Sequence, residues 1–425
     1  MTTRRGQALR APIALLAVLL TACTATGEPD RDTLPDAATI ATEGSVVEDT
    51  SPGRLLVLGA ENEISTMRPD GSDAVILAVP DPSIERTQPS WSPDGSRVAW
   101  TERRSGNETF LLVADSDGGD VTEWPSPLLA VYIAWSPDGK HLALTGSQDM
   151  GDLLLAIAGP DGEIRVIDQG APVYFDWAPD GTELLARVSG RFEYLAIDGS
   201  RRETVPATGE FRLGAHVGAS VLLGNEREVG EALALANRQG EIERELLRYA
   251  APMAYVADDT GSRLAVMSRG SPESQELSQI EETDLPIIDA ERLFVVETSD
   301  GALEEVSRAR NIAWFWSPDG RDLLYSTVGA ADGFERLQWH VWDGDETKSY
   351  RPFSPTGLFG RDYLAYFDQF ALSISLWAPD GSAFTYAGGS SLEDAGIWVQ
   401  KVEGGDPVRV SAGEVAIWSP AMIRP

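Results

Sequence analysis

A chain of 425 residues in which 67 acidic side chains face 34 basic ones carries a formal net charge of −33, and a charge of that sign repels nucleic acid and anionic lipid headgroups. Its single cysteine rules out a disulfide framework, so the fold must be held by its core alone. Only Lys140, Lys348 and Lys401 among the basic residues are lysines.

The chain opens MTTRRGQALRAPIALLAVLLTAC. Arg4, Arg5 and Arg10 precede an apolar run from Ala11 to Leu20, the order of a secretory signal, and the run is too short to span a bilayer as a mature helix. Leu20-Thr21-Ala22-Cys23 resembles the bacterial lipobox, in which the thiol receives a diacylglyceryl group and becomes the new N-terminus. The resemblance implies removal of residues 1–22, lipidation of Cys23 and membrane attachment through the N-terminal lipid, each buried methylene contributing about 0.8 kcal/mol. Loss of the three leader arginines takes the net charge to about −36. With Cys23, residues 24–53, TATGEPDRDTLPDAATIATEGSVVEDTSPG, hold small, acidic and proline residues without an apolar period, and are expected to form a disordered tether.

From Arg54 onward, in the segment 54–425, short apolar stretches alternate with Gly, Asp, Pro and Ser, the texture of an all-β protein. One phrase returns: SWSPDGSRVAW at Ser90 to Trp100, then AWSPDGKHLAL, DWAPDGTELLA, FWSPDGRDLLY and LWAPDGSAFTY. In Trp91-Ser92-Pro93-Asp94-Gly95 the serine suits the first position of a type I turn, proline presets φ at the second, aspartate suits the third, and glycine takes the fourth with positive φ. Each copy is therefore a hairpin whose tryptophan packs where two sheets meet. Neighbouring copies are 44, 42 and 41 residues apart (Trp91 to Trp135, Trp135 to Trp177, Trp377 to Trp418), the repeat length of a four-stranded propeller blade. Two worn copies, GAHVGASVLLGN and AYVADDTGSRLAVMS, lie between Trp177 and Trp316. A second set of turns, such as Asp115-Ser116-Asp117-Gly118 and Gly159-Pro160-Asp161-Gly162, joins the third strand of each blade to the fourth. Residues 55–79 supply three strands without a first, and Glu414 to Pro420 supplies a first strand with none after it, so the two ends are expected to complete one blade. The expected fold is an all-β propeller of eight blades, or seven if a worn copy is not a full blade.

Five intact copies of Trp-(Ser/Ala)-Pro-Asp-Gly and a truncated sixth at Trp418 closely resemble the WD-like repeat of the TolB propeller family and of the propellers that precede prolyl-oligopeptidase-type hydrolases. The resemblance covers roughly residues 54–420 and implies a fold; function belongs to sites grafted onto it. TolB-like proteins place an α/β domain before a six-bladed propeller, and the oligopeptidases place a hydrolase domain after theirs. Here a tether precedes the repeats and five residues follow Pro420, so neither companion domain is expected.

The residues that could carry chemistry have structural readings. Gly388-Gly389-Ser390-Ser391 lacks the closing glycine of a nucleophile elbow. His141, His216 and His340 share no ligand spacing. Asp115 to Asp120 could begin a calcium loop, but the twelfth position is Ser126 rather than glutamate, and a turn is required there. No catalytic residue, metal or cofactor is therefore expected. The irregular segments are Gly270 to Ala290, Ala387 to Gly396 and the long connection RPFSPTGLFGRDYLAYFDQF, all on the face of the second-to-third and fourth-to-first strand connections. The last concentrates Arg351, Phe353, Phe359, Arg361, Tyr363, Tyr366, Phe367 and Phe370, which form either extra packing over a blade edge or a recognition surface. The expected function is a lipid-anchored extracytoplasmic propeller that binds a protein, peptide or envelope glycan without catalysis. The alternatives are a glycosidase or lyase using carboxylates in the central channel, and a structural scaffold of an envelope complex.

Overall fold

The computed structural model describes residues 53–147, 151–206, 214–250, 253–268, 285–288, 292–331, 334–391 and 393–420. Strands of two to nine residues between tight turns, most of them apolar-rich, pair with their sequence neighbours into eight antiparallel sheets, the blades of a β-propeller. With strands lettered a to d from the axis outward and blades numbered from Trp91, the inner strands are Glu85–Trp91 (blade 1), Leu129–Trp135 (2), Val173–Trp177 (3), Ala215–Val217 (4), Met253–Ala257 (5), Asn311–Trp316 (6) and Val415–Trp418 (8). The inner strand of blade 7 is interrupted. Both worn repeats are complete blades, which makes the count eight rather than seven. Blade 4 also gains a short parallel fifth strand, Ile287–Ile288, against Arg248 and Tyr249 at its outer edge.

The a to b turns have the geometry their residues dictate. Gly95 donates its N–H to the Ser92 carbonyl at 2.9 Å, and Gly95 sits at φ 69°. The Asp94 carboxylate accepts from the Ser92 hydroxyl at 2.6 Å and the Ser96 N–H at 3.0 Å. The same capped turn recurs at Ser136–Gly139 and Ser317–Gly320.

The repeat tryptophans join blade to blade. Trp135 Nε1 donates to the Ser90 carbonyl (3.3 Å), Trp177 to Ala134 (3.2 Å), Trp316 to Val256 (2.9 Å), Trp377 to Phe315 (3.0 Å) and Trp91 to Ile417 (3.4 Å). In every case the acceptor precedes the residue that holds the tryptophan's place in the blade before. Blade 4 has Val217 there, and its link to blade 3 runs instead through Asp176, whose Oδ2 accepts from the His216 N–H at 2.7 Å and lies 3.0 Å from His216 Nδ1.

Closure follows the expected route. Val415–Trp418 pairs antiparallel with Leu55–Leu58, Leu55 opposite Trp418 and Leu58 opposite Val415. Arg54 and Ser419 exchange two further hydrogen bonds, Arg54 N–H to Ser419 Oγ at 3.0 Å and Ser419 N–H to the Arg54 carbonyl at 2.8 Å. The folded chain thus begins on the a to b face, where Gly53 lies so close to Pro379 that a Cβ would stand 2.9 Å from the proline ring.

Candidate functional site

The irregular feature is the inner strand of blade 7, which is built in two pieces. Ser354 and Pro355 pair with Gly389 and Gly388, and the Thr356 N–H reaches the Ala387 carbonyl at 3.2 Å. On the same side of that strand, Thr385 donates to the Leu376 carbonyl at 2.8 Å, and Trp377 stands opposite Phe384. The place beside Thr356 in the ladder therefore belongs to Ser375. Residues 357–374, eighteen in number, leave the strand and return to it without a gap in register.

The insert coils through a π-helical turn at Phe359–Tyr363, a 3-10 turn at Leu364–Tyr366 and an α-turn at Phe367–Phe370. Its base is tied to blade 8, the Thr356 hydroxyl donating to the Glu414 carbonyl at 2.6 Å and the Leu358 N–H to the Glu414 carboxylate at 3.3 Å. Beyond the base it crosses the axis. Phe370 lies edge-on to Tyr132 of blade 2 at 5.3 Å, while Phe367 lies 4.3 Å from Trp314 of blade 6. Blades 2 and 6 face each other in a ring of eight, so one helical turn reaches both walls. Gln369 fixes its rotation: the side-chain amide donates to the Phe175 carbonyl at 3.1 Å and accepts from the Phe175 N–H at 3.4 Å. Burial pushes the Tyr132, Tyr255 and Tyr363 phenols above the usual range, so all three are neutral.

Of the two readings of these aromatic residues, extra packing or a recognition surface, burial favours packing for five of the six rings. Phe353, Phe359, Tyr363, Phe367 and Phe370 are core residues, Phe359 only 1% exposed. Their rings cover apolar faces of the inner strands that water would otherwise wet, and a buried aromatic side chain gains more from that contact than from any exposed one. Tyr366 is 47% exposed. Arg361 is also exposed and forks onto its neighbour Asp362 at 2.6 and 2.8 Å. Arg351 lies on the outer rim, 2.6 Å from Asp406, beside a shallow groove of about 370 Å³ between blades 6 and 7 lined by Lys348, Gln400, Gly404 and Gly405. The packing of the insert was only partly readable: Phe359, Tyr363, Phe367 and Phe370 recur at intervals of four, four and three, a helical stripe, but Tyr366, three after Tyr363 and four before Phe370, shares that spacing and is exposed.

The insert also takes the space in which the enzymatic alternative placed its carboxylates. Asp115 to Asp120 is a turn, Gly118 N–H to the Asp115 carbonyl at 3.1 Å. Among the described residues no cluster of three His, Cys, Asp or Glu side chains could hold a metal ion. His340 lies between Thr327 Oγ1 (2.9 Å) and Ser349 Oγ (2.8 Å), and burial holds its pKa down to about 4. Ser390 and Ser391 clip a loop through Asp394, whose carboxyl the Ser390 hydroxyl, with both backbone N–H groups, holds down at about 2. Of the segment 270–290, residues 270–284 and 289–290 lie outside the described residues.

With the geometry in place, known proteins can be set beside it. No family model matches the chain, and no curated protein matches it. Solved structures do. A eukaryotic initiation factor aligns with a TM-score of 0.54 at 11% identity, over 88% of this chain and 99% of that one. The dihydro-heme d1 dehydrogenase NirN, in complex with DHE, aligns with a TM-score of 0.54 at 12% identity, over 90% and 77%. The likeness is one of fold. TolB from Acinetobacter baumannii aligns with a TM-score of 0.40 at 13% identity over 71% of this chain, which spans 64% of TolB's length.

Proposed function

We propose that this protein is a lipid-anchored extracytoplasmic propeller that binds a protein, peptide or envelope glycan on its surface and does not catalyse a reaction. Cys23 carries the lipid and residues 24–53 are the tether. The observation that carries the binding part is the insert: with one helical turn reaching from Tyr132 to Trp314, the axis is taken, and what remains for recognition is a face or the rim. The polypeptide enters the propeller at Arg54, on the a to b face. The irregular face is therefore the one away from the tether's attachment, and we assign the exposed Tyr366 and Arg361 of the insert to it. An aromatic ring and a guanidinium are common anchors of a recognition surface.

Two measurements test the two parts. Cys23→Ala is expected to abolish incorporation of a labelled fatty acid and to move the protein out of the detergent phase; equal partition of variant and wild type contradicts the anchor. A photo-crosslinking residue at position 366 is expected to trap one discrete envelope component, whereas the same residue at position 94, on the opposite face, traps none. Equal crosslinking from both faces contradicts the assignment of the binding face.

A further inference from the structure

The insert occupies the axis in the way a ligand occupies a channel. Because Ser375 follows Thr356 in the ladder against Ala383–Gly389, joining those two residues would leave a continuous inner strand in blade 7, with no ladder position empty. The ring's own strand order does not need residues 357–374. The contacts the insert makes are also those of a bound peptide. Two aromatic side chains, three residues apart, enter subsites on opposite walls: Phe370 packs on Tyr132, and Phe367 sits against Trp314 and Phe315, at 4.3 and 6.3 Å. Between them the Gln369 amide supplies one donor and one acceptor to the main chain of Phe175, as a pairing strand would. The polar attachment at the base consists of Thr356 and Leu358 on Glu414 and, where the chain rejoins the strand, the Ser375 carbonyl accepting from the Trp418 N–H at 2.9 Å.

We propose that the axial channel is a binding site for a short helical peptide bearing aromatic residues at positions i and i+3 and a carboxamide at i+2, and that the chain's own segment Phe367-Asp368-Gln369-Phe370 is its resident ligand, held in cis. A tethered ligand acts at an effective concentration in the millimolar range, so the intact protein keeps the channel filled and excludes a free competitor. The inference is independent of the anchor, and shares with the proposed binding face only the crossing of the axis by the insert.

The test is a protein lacking residues 357–374, with Thr356 joined to Ser375, titrated with a fluorescent synthetic peptide of residues 357–374. The variant is expected to keep the β-sheet spectrum and a cooperative melt, and to bind the peptide at one to one with an affinity at least about 100-fold above that of the wild type. Its melting temperature rises when the peptide is added, and a peptide with both Phe367→Ala and Phe370→Ala fails to bind. A folded variant that ignores the peptide, or that binds the two peptides alike, overturns the proposal. Should the deletion not fold, the full-length Phe367→Ala/Phe370→Ala protein decides the matter. Its two emptied subsites are expected to take up indole, read as a rise in melting temperature that the wild type does not show, and no rise overturns the proposal.

Discussion

At the scale of single residues, the tryptophan of five repeats, Trp91, Trp135, Trp177, Trp316 and Trp377, serves twice. Its ring fills the seam between two blades, and its N–H ties that seam to the carbonyl of the preceding blade's inner strand, a bond worth about 1 kcal/mol net and more than that to leave unmade. The first use is legible from a large aromatic residue beside a turn. The second is not, because the acceptor is a backbone carbonyl of another blade, and any residue type can supply it. The Pro-Asp-Gly turns are the opposite case: donor, acceptor and left-handed glycine lie within four consecutive residues, so their geometry could be read in advance. Their carboxylates also set an acid limit. The Ser136 hydroxyl and then Lys140 hold the Asp138 carboxyl below the usual range, and the backbone N–H and hydroxyl of Thr182 do the same for Asp180. A carboxyl depressed in the folded state contributes stability that is full above the unfolded value of 3.8 and is lost as pH falls through the lower folded value. Melting temperature is therefore expected to fall below about pH 4, and to fall less steeply for Asp138→Asn/Asp180→Asn; identical pH profiles would contradict the role of these turns.

At the scale of elements, the ordinary blades were predictable because a hairpin repeats its own local signals, whereas the insert belongs to no repeat. Its aromatic content left core packing and a recognition surface both open, since anchors of recognition and members of a core are the same residue types. Spacing does not separate them either: Tyr366 shares the helical phase of Phe359, Tyr363, Phe367 and Phe370, and only the tertiary packing of the insert buries those four and leaves Tyr366 exposed. The blade 7 register that lets the insert leave and return without a gap has no sequence signal, because Ser354, Pro355 and Thr356 lie far along the chain from the Ser375 that continues their strand. The division within the insert gives a sharp contrast. Tyr363→Ala and Phe367→Ala each remove a buried ring and are expected to cost about 3 to 5 kcal/mol. Tyr366→Ala, at an exposed ring, is expected to fall within about 0.5 kcal/mol of the wild type. Thermal melts of the three variants check this, and equal losses would contradict the buried stripe.

At the scale of the whole molecule, the ring is closed by a strand from each end, and the eight blades hold together without a disulfide. Leu55, Leu56, Val57 and Leu58 are all buried and pair edge to edge with Val415–Trp418. Removing Glu414 to Pro425 would leave that strand as an open edge and delete the buried Trp418, a loss of about 3 to 5 kcal/mol from the ring alone. The truncated protein is expected to aggregate or to melt far below the wild type, and an unchanged melting temperature would contradict closure by a shared blade. The excess of 67 acidic over 34 basic residues adds self-repulsion that salt screens, so comparisons between variants belong at one ionic strength. The central claim is that residues 357–374 run across the axis rather than over the surface, and amide hydrogen exchange on the intact protein tests it most directly. Gly360 donates to Thr356 at the base of the insert and Ala371 to Phe367 within it, and the account predicts that peptides covering 359–371 exchange as slowly as those covering the inner strand Leu129–Trp135. Complete exchange of 359–371 within seconds, while Leu129–Trp135 stays protected, would contradict it.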